Sequence, residues 1–225
     1  MEFRILGPLE VRNEHGSVAL GGSKPRSVLA VLLLHANESV PAERLVLALW
    51  GEEAPPGAVK RVHVHVARLR KALGDPEIVT TTAAGYRVRV LPGELDAARF
   101  RGLVEDGRQA LARGEADEAA ILLREALSLS RGPPLADLAY EPFAADEIVR
   151  LEELQLEALE ALEARVEADL AAGRQSSLVG ELQRLVAGYP TRERLAGHLM
   201  LALYRAWGAG GHQHRADPRP RAPLH

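Results

Sequence analysis

No glycine or proline interrupts residues 58–73, AVKRVHVHVARLRKAL, between Gly57 and the break at Gly74-Asp75-Pro76. The stretch Val62-His63-Val64-His65-Val66 alternates like a half-buried strand. A strand of the whole length, however, would far exceed the usual ~3–10 residues. At about 100° per residue, Val62, Val66, Leu69 and Leu73 collect in one narrow stripe, with Val59 at its edge. The spacing therefore predicts a helix. Lys60, Val64, Ala67, Arg68 and Lys71 then share the opposite side, with Arg61 and His63 on its flanks, so the outer face is cationic.

The punctuation on either side defines a small module. Residues 3–6 and 9–12 read as strands parted by Gly7-Pro8, and Val18-Ala19-Leu20 as another ended by Gly21-Gly22. Lys24 to Ala36 follows as a helix, with Pro25 in its first turn and Val28, Leu29, Leu32 and Leu33 on its buried stripe. After Ser39-Val40-Pro41, Leu45, Leu47, Leu49 and Trp50 mark a shorter helix, closed by Gly51 and the turn through Gly57. Beyond the cationic helix, residues 78–90 read as a hairpin. Ile78 to Thr82 is β-branched, Ala83-Ala84-Gly85 turns, and Tyr86, Val88 and Val90 alternate with Arg87 and Arg89.

From Glu94 onward the strands stop. Helices are expected at 96–113, 116–131, 144–172, 175–188 and 192–207, separated by Gly114, Gly132-Pro133-Pro134, Gly173 and Tyr189-Pro190. Gly107, Ala119, Leu123 and Ala126 repeat the small and apolar spacing of a tetratricopeptide-like helix pair. In the helix at 144–172, the glutamates from Glu147 to Glu167 read as its wet face. Val149, Leu151, Leu154, Leu156, Leu159, Leu162, Val166 and Leu170 read as its apolar side. Residues 208–225 carry no periodicity and are expected to be disordered. The fold class is mainly α with a small α+β part: an N-terminal winged helix-turn-helix over 1–92, then an all-α, tetratricopeptide-like domain over 94–207.

Charge follows the same division. Residues 1–92 hold 12 Lys/Arg against 9 Asp/Glu, whereas the remainder holds 16 against 22. The 225-residue chain has no cysteine, which removes disulfides, thiolate metal sites and a cysteine nucleophile. His63 and His65, two apart on a helix, point roughly 200° from one another and share no ion. Phosphate-loop, nucleophile-elbow and zincin patterns are absent. Neither an enzyme nor a metal or other cofactor is expected. No secretory signal opens the chain and no apolar run nears the ~18–20 residues of a membrane span, so a cytoplasmic, nucleoid-associated location without membrane contact is expected.

A helix about 10–12 Å across fits the DNA major groove. Its exposed first turns meet base edges while later cations track phosphates. That assigns Lys60, Arg61, His63 and Val64 to the bases, Arg68 and Lys71 to phosphates, and Arg87 and Arg89 to a wing beside the duplex. The run Arg61 to Gly74, followed by a strand and Gly85-Tyr86-Arg87, resembles the OmpR/PhoB-type DNA-binding domain. Phe3-Arg4-Ile5-Leu6-Gly7-Pro8-Leu9, Lys24-Pro25-Arg26 and Leu49-Trp50-Gly51 extend the likeness to the Streptomyces antibiotic regulatory protein (SARP) family. In the second half, Leu95-Asp96 and Leu199-Met200-Leu201-Ala202-Leu203-Tyr204 are similar to that family's helical activator domain.

The resemblance implies an activator of a biosynthetic gene cluster, binding direct repeats in double-stranded promoter DNA and contacting RNA polymerase holoenzyme. Lys60 stands where family members often carry asparagine, and Thr82 where several wings carry arginine. With the chain opening on its first strand, phosphorylation of a preceding receiver domain is not the expected switch. The family's helical domain continues beyond the Tyr204 region with another amphipathic helix. Its replacement here by a Gly/His/Pro/Arg tail is expected to expose Leu199, Leu203 and Trp207, favouring a homodimer. The alternative from the same residues is a repeat-type interaction scaffold whose first domain no longer reads DNA.

Overall fold

In the computed structural model the described residues are 1–213, with side chains to residue 207. The chain opens with an antiparallel meander, β1 (Glu2–Arg4), β2 (Glu10–Asn13) and β3 (Gly16–Ser17), in which Phe3 faces Val11 and Arg12 faces Ser17. The third strand thus precedes the expected residues 18–20. Asn13 pairs with Gly16, whose φ of 115° turns the chain early, and Leu20 serves as a buried plug instead.

Three helices follow: α1 (Ser23–Leu34), α2 (Ala42–Trp50) and α3 (Ala58–Leu73). Val28 through Leu33 are all buried, so α1 is the hub on which the other two lean. Gly57 and Gly74 both adopt left-handed backbone, which lets the chain enter and leave α3 sharply. Next comes the hairpin β4 (Val79–Thr82) and β5 (Gly85–Val88), with Val79 opposite Val88. Gly85, expected as part of the turn, is instead the first residue of β5. A Cβ there would sit 2.1 Å from the Val40 carbonyl oxygen, because Val40 and Tyr86 exchange backbone hydrogen bonds of 2.7 and 2.9 Å.

The second half is helical: α4 (Asp96–Ala112), α5 (Ala116–Ser128), a 3₁₀ turn at Ala136–Leu138, α6 (Ala144–Ala171), α7 (Gln175–Gly188) and α8 (Glu193–Gln213). Small residues let α4 and α5 close on one another. A Cβ on Gly107 would lie 2.9 Å from Leu123 Cγ, while Ala110, Ala119 and Ala126 are buried beside them. α6 departs from its expected two-faced pattern. Val149 and Leu156 are exposed, while Glu163 is buried within reach of Arg192 and Arg194. α8 runs six residues past the expected end at 207, and residues 214–225 of the expected disordered tail lie outside the described residues. Among the described residues no helix is long and apolar enough to cross a membrane.

The halves are stitched by backbone and share one hydrophobic core, from Phe3 and Ile5 through Phe100, Leu123 and Leu135. The Asp96 carboxylate, at the first turn of α4, accepts the amides of Ile5 at 2.8 Å and Leu6 at 3.0 Å. The amides of Arg131 and Leu135 donate to the Leu6 and Ile5 carbonyls in return. Burial pushes the Asp96 carboxyl upward, opposed by the Ile5, Leu6 and Ala97 N–H donors and by Arg131. The 3₁₀ segment grips α1 from the other side. Asp137 pairs with Arg26 and accepts the Leu9 amide at 2.6 Å, and Glu141 takes Lys24 at 2.8 Å.

Candidate nucleic-acid interface

Val62, Val66, Leu69 and Leu73 are buried under α3, as their spacing predicts, and leave its other side to solvent. Lys60, Arg61, His63, Val64, Arg68 and Lys71 are all exposed there. No carboxylate residue occurs in 58–73, and among the described residues none of the four cations Lys60, Arg61, Arg68 and Lys71 forms an ion pair. An unneutralised row of this kind, on a helix buttressed from behind, suits a polyanion. Val64 adds an exposed apolar side chain to the same face.

Arg70, on the flank of the same helix, is used differently. Its Nε donates to the Val79 carbonyl at 2.6 Å and Nη2 to Thr81 Oγ1 at 2.8 Å, clamping β4 to α3. Only the position of the hairpin shows that its guanidinium is engaged. Asn37 holds the far end of the hairpin. It adopts φ 67°, its amide donates to the Val88 carbonyl, and its side chain exchanges two 2.9 Å bonds with the Val90 backbone.

The two histidines on α3 turn apart, as their spacing requires. The His63 ring meets Tyr86 edge-on at 6.0 Å. His65 lies 6.4 Å from Trp50, and Lys24 sits 5.9 Å above that indole. Burial first, then Arg68, Lys24 and Arg61, hold the His65 imidazole below its usual range. Trp50 and Tyr86 are therefore packing residues of this module.

Arg87 and Arg89 are not gathered with the α3 set. Tyr86 and Val88 point into the core, so the alternate residues stand on the outer face of the hairpin. There Arg89 lies 3.4 Å from Asp75, and both arginines border an open cleft with Asn37, Glu77 and Thr80.

Known proteins share this arrangement. Residues 17–88 match the family described as "Transcriptional regulatory protein, C terminal", and residues 95–210 match the "Bacterial transcriptional activator domain". The regulatory protein AfsR of Streptomyces coelicolor is 40% identical over 92% of this chain, and the match spans 20% of AfsR. The regulatory protein DnrI of Streptomyces peucetius is 36% identical over 92% of this chain and 78% of its own length. A solved structure of Mycobacterium tuberculosis EmbR, in complex with a low affinity phosphopeptide, aligns with a TM-score of 0.76 at 35% identity. It covers 91% of this chain, which spans 55% of the EmbR chain. With a winged-helix domain of OmpR/PhoB type followed by a helical activator domain, the chain belongs to the SARP family of DNA-binding transcriptional regulators.

Proposed function

We propose that this chain activates transcription of a biosynthetic gene cluster by seating α3 in the major groove at direct repeats in a promoter. The observation that carries this reading is the outward row Lys60, Arg61, Arg68 and Lys71, free of carboxylate partners among the described residues while its helix is anchored from behind. Lys60, Arg61, His63 and Val64, in the first turns, face base edges; Arg68 and Lys71 face phosphates. Arg87 and Arg89, on the hairpin's outer face, belong to the wing and meet phosphates beside the groove. Residues 1–92 read the DNA. Residues 94–207 contact RNA polymerase holoenzyme and support self-association, in a cytoplasmic, nucleoid-associated protein that performs no catalysis.

The test is promoter-fragment binding across a salt series. Affinity should fall steeply with salt, because each phosphate contact releases a counterion. Substituting Arg61 or His63 should change which base is preferred at one position of each half-site, by about 1–3 kcal/mol of discrimination. Changing Lys60, Arg61, Arg68 and Lys71 together to Ala without loss of binding would show that another element reads the DNA.

One observation favours the scaffold reading. Met200, Tyr204 and Trp207 stand exposed on α8, Trp207 at 84%, which gives the helical half an apolar contact face independent of DNA. Leu203 is exposed with them, whereas Leu199, expected in the same stripe, packs partly against the core. A chain that never shifts DNA from its own cluster, yet retains a protein partner through this face, would favour the scaffold.

A further inference from the structure

A cavity of about 470 Å³ opens where the end of α1, the linker after β5 and the helical half meet. Its apolar lining includes Ile5, Leu33, Leu95 and Leu151, drawn from both halves of the molecule. Its polar rim carries His35, Glu38 and Arg101. His35 and Glu38 approach each other, with Nδ1 3.8 Å from the carboxylate. Arg101 is exposed and forms no ion pair among the described residues. Small-molecule sites commonly lie at such junctions, within roughly 300–1,000 Å³, with an apolar lining and few convergent polar groups.

We infer that this cavity binds a small amphiphilic organic acid. Its hydrophobic body would rest on the Leu33, Leu95 and Leu151 side chains, and its single anionic group would pair with Arg101. The volume suits a body of two or three fused rings that carries one anionic group. One lip of the cavity is Asn37, the residue whose bonds to Val88 and Val90 hold the hairpin. An occupant therefore touches the segment that positions the wing and the helical half at once.

Two dyes of nearly the same shape test the inference on the full chain: anilinonaphthalene sulfonate, which is anionic, and phenylnaphthylamine, which is neutral. Each should bind saturably at one site, with blue-shifted emission under direct excitation. Ala98→Trp, at an exposed position on the cavity wall, should weaken both dyes by about tenfold or more. Arg101→Ala should weaken the sulfonate about tenfold, the loss of one charged hydrogen-bond partner, and leave the neutral dye unchanged. Exchanging Met200 and Trp207 for Ser should alter neither titration. If that exchange removes the emission, or Ala98→Trp leaves both dyes unaffected, the dyes sit on α8 and the cavity proposal falls. If Arg101→Ala shifts both dyes alike, the anionic half of the proposal falls. Should Ala98→Trp fail to fold, Arg101→Glu on the exposed rim makes the same discrimination, with unchanged binding of the sulfonate overturning the site.

Discussion

Two groups of arginines in this molecule have the same chemistry and opposite surroundings. On α3, Arg61 and Arg68 stand in water on a helix without acidic residues. Between α6 and α7, Arg165 is 3% exposed, its guanidinium bonded to Asp169 at 2.7 Å and Glu181 at 2.6 Å. An exposed cation keeps its hydration until a polyanion displaces the counterions. A buried one has already been desolvated and depends on its partners. What an arginine contributes is therefore decided by which carboxylates the fold delivers to it, and composition does not reveal that.

The largest effect separates the two groups directly. Arg165→Ala leaves Asp169 and Glu181 buried around a missing charge, although the more exposed Arg174 still reaches Asp169 and Arg124 still lies 3.7 Å from Glu181. It should cost about 3–5 kcal/mol in urea unfolding. Arg68→Ala should stay within about 0.5 kcal/mol. Replacing Arg165, Asp169 and Glu181 together by Met, Leu and Leu should restore most of the loss, because no lone buried charge remains. Equal destabilisation by Arg165→Ala and Arg68→Ala would end the comparison.

The seam between the halves lies between these extremes. Asp137→Ala removes the partner of Arg26 and strands the Leu9 amide. A loss of about 1–3 kcal/mol is expected, read as a lower unfolding midpoint. Asp137→Asn, which can still accept from the Leu9 amide, should lose less. Next come Arg68→Ala and Lys71→Ala, each expected to lower the slope of log affinity against log salt by about 0.9. Arg174→Ala, a half-exposed arginine that is already paired, should leave that slope untouched. An equal change in all three would mean that net charge, not the α3 face, drives binding.

Much of this was legible in the residues. The missing breakers across 58–73 and the Val62/Val66/Leu69/Leu73 stripe define α3 without tertiary information, as Gly107, Ala119, Leu123 and Ala126 do for the α4–α5 pair. Three features were not legible, for one reason: their causes are distant in sequence. Gly85 is required by the Val40 carbonyl, Asp96 by the amides of Ile5 and Leu6, and Glu163 is buried by arginines on the chain entering α8. Helical periodicity assigns glutamate to water and is silent about a partner thirty residues away. Strand alternation did place Arg87 and Arg89 opposite Tyr86 and Val88, but not which side of the hairpin faces α3.

The smallest expected effect lies on α3 itself, at the edge between its wet and packed sides. His65 faces Trp50 of α2, with Lys24 of α1 and Arg61 and Arg68 of its own helix nearby. Burial and those cations lower its folded pKa beneath the ordinary 6.5. Between the lowered value and 6.5, the unfolded chain binds more protons than the folded one, so stability rises with pH through that window and is complete above it. It is lost as the solution is acidified below 6.5. His65→Gln retains polarity without titrating, so the melting temperature of the unaltered chain, measured relative to this variant, should fall as pH drops from about 7.5 to 5.5. A difference that stays flat would mean that His65 is solvated in solution, and that the cationic face of α3 extends one residue further round the helix than its packing against Trp50 allows.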